Sequence, residues 1–191
     1  AVISESILGR SEKKELIKFH IKNLFDFADP PHHRIDDYPF GGGAGMILKP
    51  EPVFRAYDSA LEELPENSEV RVIFPTPDGA IFSHEKATQL SKCENLIFIS
   101  GHYKGIDQRI RDEIITDEVS IGDYVVTGGE LPSLIILDAA VRLIPPTIHA
   151  NLDGLRTTSR GVLDSVSLPS LLSRSISFMF LTSSRATWCL C

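Results

Sequence analysis

Ser120-Ile121-Gly122-Asp123-Tyr124-Val125-Val126-Thr127-Gly128-Gly129-Glu130-Leu131-Pro132 is the stretch around which the rest of this chain is read. Three glycines, an Ile-Tyr-Val-Val core and a proline suited to the first turn of a helix stand within thirteen residues. The run is too apolar for a surface loop and too rich in glycine for an ordinary strand or helix. It reads as backbone folded tightly around a small ligand, with Ile121, Tyr124, Val125 and Val126 buried and the glycines admitting close main-chain approach.

The flanking sequence gives this run a frame. Downstream, Leu131 to Ile144 reads as a strongly apolar helix. Upstream, Val70 to Phe74 is a buried strand that should stop at Pro75-Thr76-Pro77-Asp78-Gly79. Ser83 can cap a helix through Leu90. Leu96 to Ile99 is a second buried strand, stopped by Gly101, and Asp107 to Ile115 is a charged helix. Nearer the start, residues 4 to 15 look helical. Ile17, Phe19 and Ile21 alternate with Lys18, His20 and Lys22 as in a half-buried strand, and Pro50 to Leu64 carries a helical apolar face. Strands alternating with helices predict an α/β fold, a mostly parallel sheet with helices on both faces.

Ligands bind at the carboxyl ends of strands in such sheets. The 75–79 turn, the loop Gly101-His102-Tyr103-Lys104-Gly105-Ile106-Asp107 and the opening run are therefore expected to line one pocket. No G-x-G-x-x-G follows a strand and no G-K-[ST] occurs, so no phosphate cradle is indicated. A backbone-rich, partly apolar pocket suits a nucleoside such as adenosine.

Charged residues make up 24% and hydrophobic residues 42% of the 191, as in soluble globular proteins. No apolar run approaches the roughly 20 residues that span a bilayer. The start has neither the basic region of a signal peptide nor a Met, as in a trimmed chain or a fragment. Cys93, Cys189 and Cys191 make neither a disulfide framework nor a metal spacing, so a reducing, cytoplasmic setting is expected. A net charge of −7 argues against coating nucleic acid by bulk charge, though not against a local basic patch.

Arg142 closes an otherwise apolar helix, so its charge needs a partner, structural or functional. His32-His33-Arg34 is a solvated loop or a basic contact patch. Gly41 to Gly45 is a linker or a substrate-facing loop. Cys93 reads as a small core or surface residue. Asp107, Arg109, Arg111, Asp112 and Glu113 read as a solvated face.

Three collinear segments resemble the bacterial tRNA (guanine-37-N1)-methyltransferases, a family of the SPOUT knotted class. They are Arg34 to Met46 (RIDDYPFGGGAGM), Gly101 to Arg109 (GHYKGIDQR) and Ser120 to Pro132 continuing to Pro145. The resemblance covers residues from about 5 to 146. It implies a deep trefoil knot, S-adenosyl-L-methionine bound in bent form, and a homodimer whose active sites are shared between subunits. The implied cofactor pocket comprises Pro75, Thr76, Pro77, Gly101, Tyr103, Gly105, Ser120, Ile121, Gly122, Asp123, Tyr124, Val125, Val126, Gly128, Gly129 and Pro132. His32, His33, Arg34 and the loop begun by Gly41, Gly42 and Gly43 would face tRNA. Arg142 would be the catalytic cation that stabilises charge growing on guanine O6 while a base removes the N1 proton.

The chain departs from that pattern in places. Where members carry the catalytic aspartate, Thr157 stands here, and Asp153, in an unmatched context, is the remaining candidate base. Lys104 occupies a position acidic in many members, and His102 one where Arg is common. The family's first strand is missing from the N-terminus. From Asn151 to Cys191 there are nine Ser and neither Lys nor Glu. Residues 1–150 are thus read as the knotted methyltransferase domain. Residues 151–191 are read as a separate tail, as from a shifted reading frame or a shortened gene, in place of the linker and the basic tRNA-binding domain. The alternatives are a knotted module that binds cofactor and dimerises without turnover, or a related enzyme acting on another RNA nucleoside.

Overall fold

Successive residues of the apolar strands enter opposite cores, which obliges helices to cover both faces of one sheet. The computed structural model describes residues 6–101, 105–144 and 176–182. The chain begins with α1 (Ser6–Lys13), β1 (Ile17–Asn23), a 3-10 turn (Leu24–Phe27) and the short β2 (Asp36–Asp37) and β3 (Ile47–Leu48). It continues with α2 (Pro50–Glu62), β4 (Val70–Ile81), α3 (His84–Leu90), β5 (Asn95–Ser100) and α4 (Gln108–Ile114). β6 (Asp117–Ser120), α5 (Glu130–Val141) and β7 (Ile176–Thr182) complete it. Five strands form one parallel sheet in the order β1-β7-β5-β4-β6. β2 and β3 form a separate antiparallel pair.

Ile73, Leu96, Phe98, Phe178 and Phe180 face a core shared with α1, α3 and α5. Their strand neighbours Val72, Phe74, Ile97, Ile99, Met179 and Leu181 face a second core with α2 and α4. Helix starts follow their local signals. Ser83 Oγ accepts from the Lys86 N–H at 3.2 Å, and Asp107 Oδ1 accepts from the Arg109 N–H at 2.9 Å. Proline supplies the first residue of α2, where an amide hydrogen has no partner in the helix.

Three expectations are corrected. β4 does not end at Pro75. Pro75 and Ala80 both pair with Val119, so the strand throws out residues 76–79 as a bulge and then resumes. Proline lacks the N–H a ladder needs, and a bulge is where a strand tolerates it. On the edge strand β1, the alternation runs out at its end. Ile21 is 40% exposed, whereas Lys22 is tucked in, donating to Ser59 Oγ at 3.0 Å and Glu63 Oε1 at 2.6 Å. Finally, Ile176–Thr182 are not part of a separate tail. They form β7, buried between β1 and β5, because an uncharged apolar run can bury both faces.

Candidate ligand pocket

The pocket is made where three pieces of main chain touch without side chains between them. The first is the β4 bulge. Its Gly79 lies so close to β6 that a Cβ there would sit 2.5 Å from the Val119 nitrogen. The second is the loop after β5, beginning at Gly101. The third is the 120–132 run, whose Gly129 N–H donates to the Gly101 carbonyl at 2.8 Å. A Cβ on Gly129 would meet the Gly101 nitrogen at 2.7 Å. Ser133 Oγ donates to the Gly129 carbonyl at 2.7 Å and lies 3.2 Å from Ser100 Oγ, fixing the start of α5 against the end of β5. Ser120 Oγ binds both the N–H and the carbonyl of Gly122, closing the turn after β6.

These pieces enclose a cavity of about 400 Å³. Pro75, Thr76 and Pro77 line it from the bulge, and Gly101 and Gly105 from the second loop. Ser120, Ile121, Gly122, Tyr124, Val125, Val126, Gly128, Gly129 and Pro132 line it from the third. Asp123 is exposed and is not in the lining. Tyr103, with His102 and Lys104, lies outside the described residues.

The expected burial of the apolar run is corrected. Tyr124 is 55% exposed and Val125 84%, and only Ile121 packs against a core. Their apolarity serves the cavity wall and the surface beside it, not the protein interior.

The cofactor set implied by the resemblance leaves out five lining residues: Phe74, Asp78, Arg111, Val119 and Thr127. Asp78 stands in the 75–79 turn and Thr127 in the opening run, both segments expected to line the pocket, whereas Phe74, Arg111 and Val119 lie outside them. Arg111 carried no such signal. On its helix it resembled a solvated charge, yet its guanidinium lies 5.3 Å from the centre of the Phe74 ring. Its Nε is 3.5 Å from Glu118 Oε1. Asp78 and Arg111 are the two charged lining residues among those described.

At its end away from the 120–122 turn, β6 begins at the buried Asp117. Arg71 binds both of its oxygens, at 2.7 and 2.9 Å, and Lys86 and Thr116 also donate to it. Burial pushes the Asp117 carboxyl up, but the hydrogen bonds from Lys86, Thr116 and Arg71 outweigh it and hold the group below its ordinary range. Asp107, which caps α4, is likewise held low, chiefly by the Arg109 guanidinium.

Arg142 lies at the far end of α5 from the cavity. Ten helical residues separate it from Pro132, about 15 Å at 1.5 Å each. Its partner is Asp138, Nε to Oδ2 2.8 Å, and its side chain is 53% exposed. It does not line the cavity. Asp153 and Thr157 lie outside the described residues.

His32, His33 and Arg34 are exposed in the segment leading to β2. Gly41, Gly42 and Gly43 lie in the exposed β2–β3 hairpin loop with positive φ values, a backbone that favours glycine. That hairpin is tied to the pocket's second loop. Leu48 N–H donates to the Gly105 carbonyl and Asp107 N–H to the Leu48 carbonyl, each at 3.1 Å. Arg109 adds a contact over the Phe40 ring at 5.8 Å.

Among the described residues no group of three or more His, Cys, Asp or Glu could hold a metal, and no helix is long and apolar enough to cross a membrane.

Residues 1–160 match the family described as tRNA (Guanine-1)-methyltransferase TrmD. A tRNA (guanine-N(1)-)-methyltransferase of Alkaliphilus metalliredigens is 53% identical over 140 residues, 73% of this chain and 57% of that protein. The enzymes of that name from Staphylococcus haemolyticus and Staphylococcus aureus are 52% and 49% identical over 144 residues, 75% of this chain and 57% of theirs. The matched part thus spans little more than half the length of these relatives.

Proposed function

This chain belongs to the tRNA (guanine-1)-methyltransferase family, and from that we propose that it transfers a methyl group from S-adenosyl-L-methionine to N1 of guanosine 37 in tRNA. The observation that carries the proposal is the cavity itself. Three segments that resemble the family's cofactor loops converge there through main-chain contacts, leaving about 400 Å³ bounded by apolar and glycyl surface. Such a lining fits an adenine ring and ribose better than a phosphate chain. Its two charged residues fit the remainder: Arg111 suits the methionyl carboxylate and Asp78 the ammonium.

When bound, S-adenosylmethionine supplies an electrophilic methyl on a sulfonium. The residues of the chain must then bring guanine to it and manage one proton. Guanine N1 is protonated at neutral pH, so a base takes that proton while a cation holds the charge that grows on O6. Arg142 is the proposed cation. Because it lies about 15 Å along α5 from its own cavity, a second copy of the chain has to supply it. Leu131 and Ile135, 57% and 48% exposed on α5, offer an apolar face for that homodimer. The Asp138–Arg142 pair is exposed, so releasing Arg142 costs less than about 1 kcal/mol. Asp153 is the proposed base, and His32, His33, Arg34 and the Gly41–Gly43 loop are the proposed tRNA contacts. A cytoplasmic setting follows from a tRNA substrate.

The test is methyl transfer from labelled S-adenosylmethionine to unmodified tRNA bearing guanosine 37, with nuclease digestion of the product. Label in 1-methylguanosine supports the proposal. Saturable cofactor binding with no transfer would leave a binding module, and label in another nucleoside would reassign the substrate.

A further inference from the structure

One interior strand of the sheet, next to the edge strand β1, comes from a part of the chain that the family match does not include. The match ends at residue 160, whereas β7 is Ile176–Thr182. It is nonetheless built into the sheet on both sides. All seven residues pair with β1, from Ile17↔Ile176 to Asn23↔Thr182, and six of them pair with β5, from Asn95↔Ser177 to Ser100↔Thr182. The approach to the strand is bonded as well: Ile176 N–H donates to the Leu16 carbonyl and Ser177 N–H to that of Glu94.

The side chains fix its register. Phe178 is 5.8 Å from Phe19, centre to centre, and Phe180 stacks on Phe98 at 5.2 Å, all on the α5 side. Met179 and Leu181, both fully buried, enter the α2 side. A slip by one residue would exchange the aromatic and aliphatic sets between two differently shaped cores. β1 has no other strand partner among the described residues, so without β7 no strand pairing ties it to the sheet. At the far end, Thr182 Oγ1 donates to Glu130 Oε1 at 3.1 Å, and Glu130 follows the cavity-lining Gly129.

We propose that the slot between β1 and β5 is a strand-acceptor site. Residues 176–182 of the same chain fill it as an internal ligand that completes the sheet and braces the start of α5 beside the pocket. The ligand the slot takes is a parallel, extended, uncharged segment with aromatic residues toward α5 and unbranched or γ-branched aliphatic residues toward α2. The proposal does not rest on the methyl-transfer reading. Both of its tests are run without cofactor, so that the two can fail separately.

The first test uses the unaltered full chain and amide hydrogen exchange. Amides of 176–182 should exchange at least about a thousandfold more slowly than in an unstructured peptide, as core amides do. Exchange at the unstructured rate while 95–100 stay protected overturns the proposal. The second test places cysteines at Lys18 and Ser177, which are paired across the strands, in a chain carrying Cys189→Ser and Cys191→Ser. Neighbouring strands lie about 4.8 Å apart, within the span of a disulfide. Lys18→Cys with Thr182→Cys is the control, about 17 Å out of register at 3.3 Å per residue. Oxidation should link the first pair within single chains and leave the control unlinked. Covalent dimers, meaning an exchanged strand, or no link in a chain that melts like its parent would overturn the assignment.

Discussion

Replacing Gly129 with alanine should open the pocket without removing any side chain. Gly129 has φ −74°, a conformation alanine adopts freely, so the effect is steric. The added Cβ would lie 2.7 Å from the Gly101 nitrogen and 3.0 Å from the Ser100 Cα. These are backbone atoms and cannot move aside by changing rotamer. Restoring ordinary contact requires the two segments to separate by about 0.5–0.8 Å, since carbon contacts are optimal from about 3.5 Å. The Gly129–Gly101 hydrogen bond, 2.8 Å long, would stretch to the edge of bonding. Its loss costs about 1 kcal/mol, and overpacking adds about 1–3 kcal/mol. For a chain of this size each kcal/mol lowers the melting temperature by about 2–4 °C, so a fall of at least about 4 °C is expected. Because the same contact shapes the cavity, affinity for S-adenosylhomocysteine should fall about tenfold or more, equivalent to 1.4 kcal/mol. Thermal unfolding and titration calorimetry measure the two effects. A Gly129→Ala chain that melts with its parent and binds within twofold of it would refute both the close approach and its place in the pocket.

Arg111→Ala should weaken S-adenosylmethionine binding by about 1.5–3 kcal/mol, the worth of a charged hydrogen bond, and leave adenosine binding nearly unchanged. Equal losses for both ligands in calorimetry would remove Arg111 from the methionyl end. Arg142→Ala should lower kcat by about a hundredfold or more, as for a lost oxyanion donor, with cofactor affinity retained. A loss confined to cofactor affinity would contradict its role on guanine. For Asp117, the folded carboxyl sits below its ordinary value of 3.8. Its ion cluster therefore stabilises the fold fully above that value, and the contribution is lost as pH falls through the lowered one. Urea unfolding across pH 2.5 to 6 should show Asp117→Asn destabilised at pH 6 and its deficit shrinking toward pH 2.5. A deficit independent of pH would sink the assignment.

Much of the architecture follows from local chemistry. Val70 to Phe74 and Leu96 to Ile99 are short apolar runs bounded by turn residues. Ser83, Asp107 and Pro50 each carry a helix-start signal that depends only on nearby atoms. Strands alternating with helices suffice to require a parallel sheet covered on both sides. Even the meeting of the 75–79 turn, Gly101 and the 120–132 run was legible, since in such a sheet all three fall at one end of the strands.

Other features depend on contacts between residues far apart in the chain. The resumption of β4 past two prolines depends on Val119 being available to both Pro75 and Ala80. Arg111 looks like a solvated charge until Phe74 is placed beneath it. The exposure of Tyr124 and Val125 depends on what packs above them, not on their hydropathy. The same holds for Ile176–Thr182, whose composition suits any apolar burial. The thirteen residues from Ser120 to Pro132 by themselves specify a tight, glycine-dependent turn leading into an apolar helix, because backbone freedom and propensity are local. Only the tertiary structure decides that Gly129 lies against Gly101 and that β7 inserts between β1 and β5. Close approach and strand pairing are properties of two segments at once, and neither segment carries the other's position.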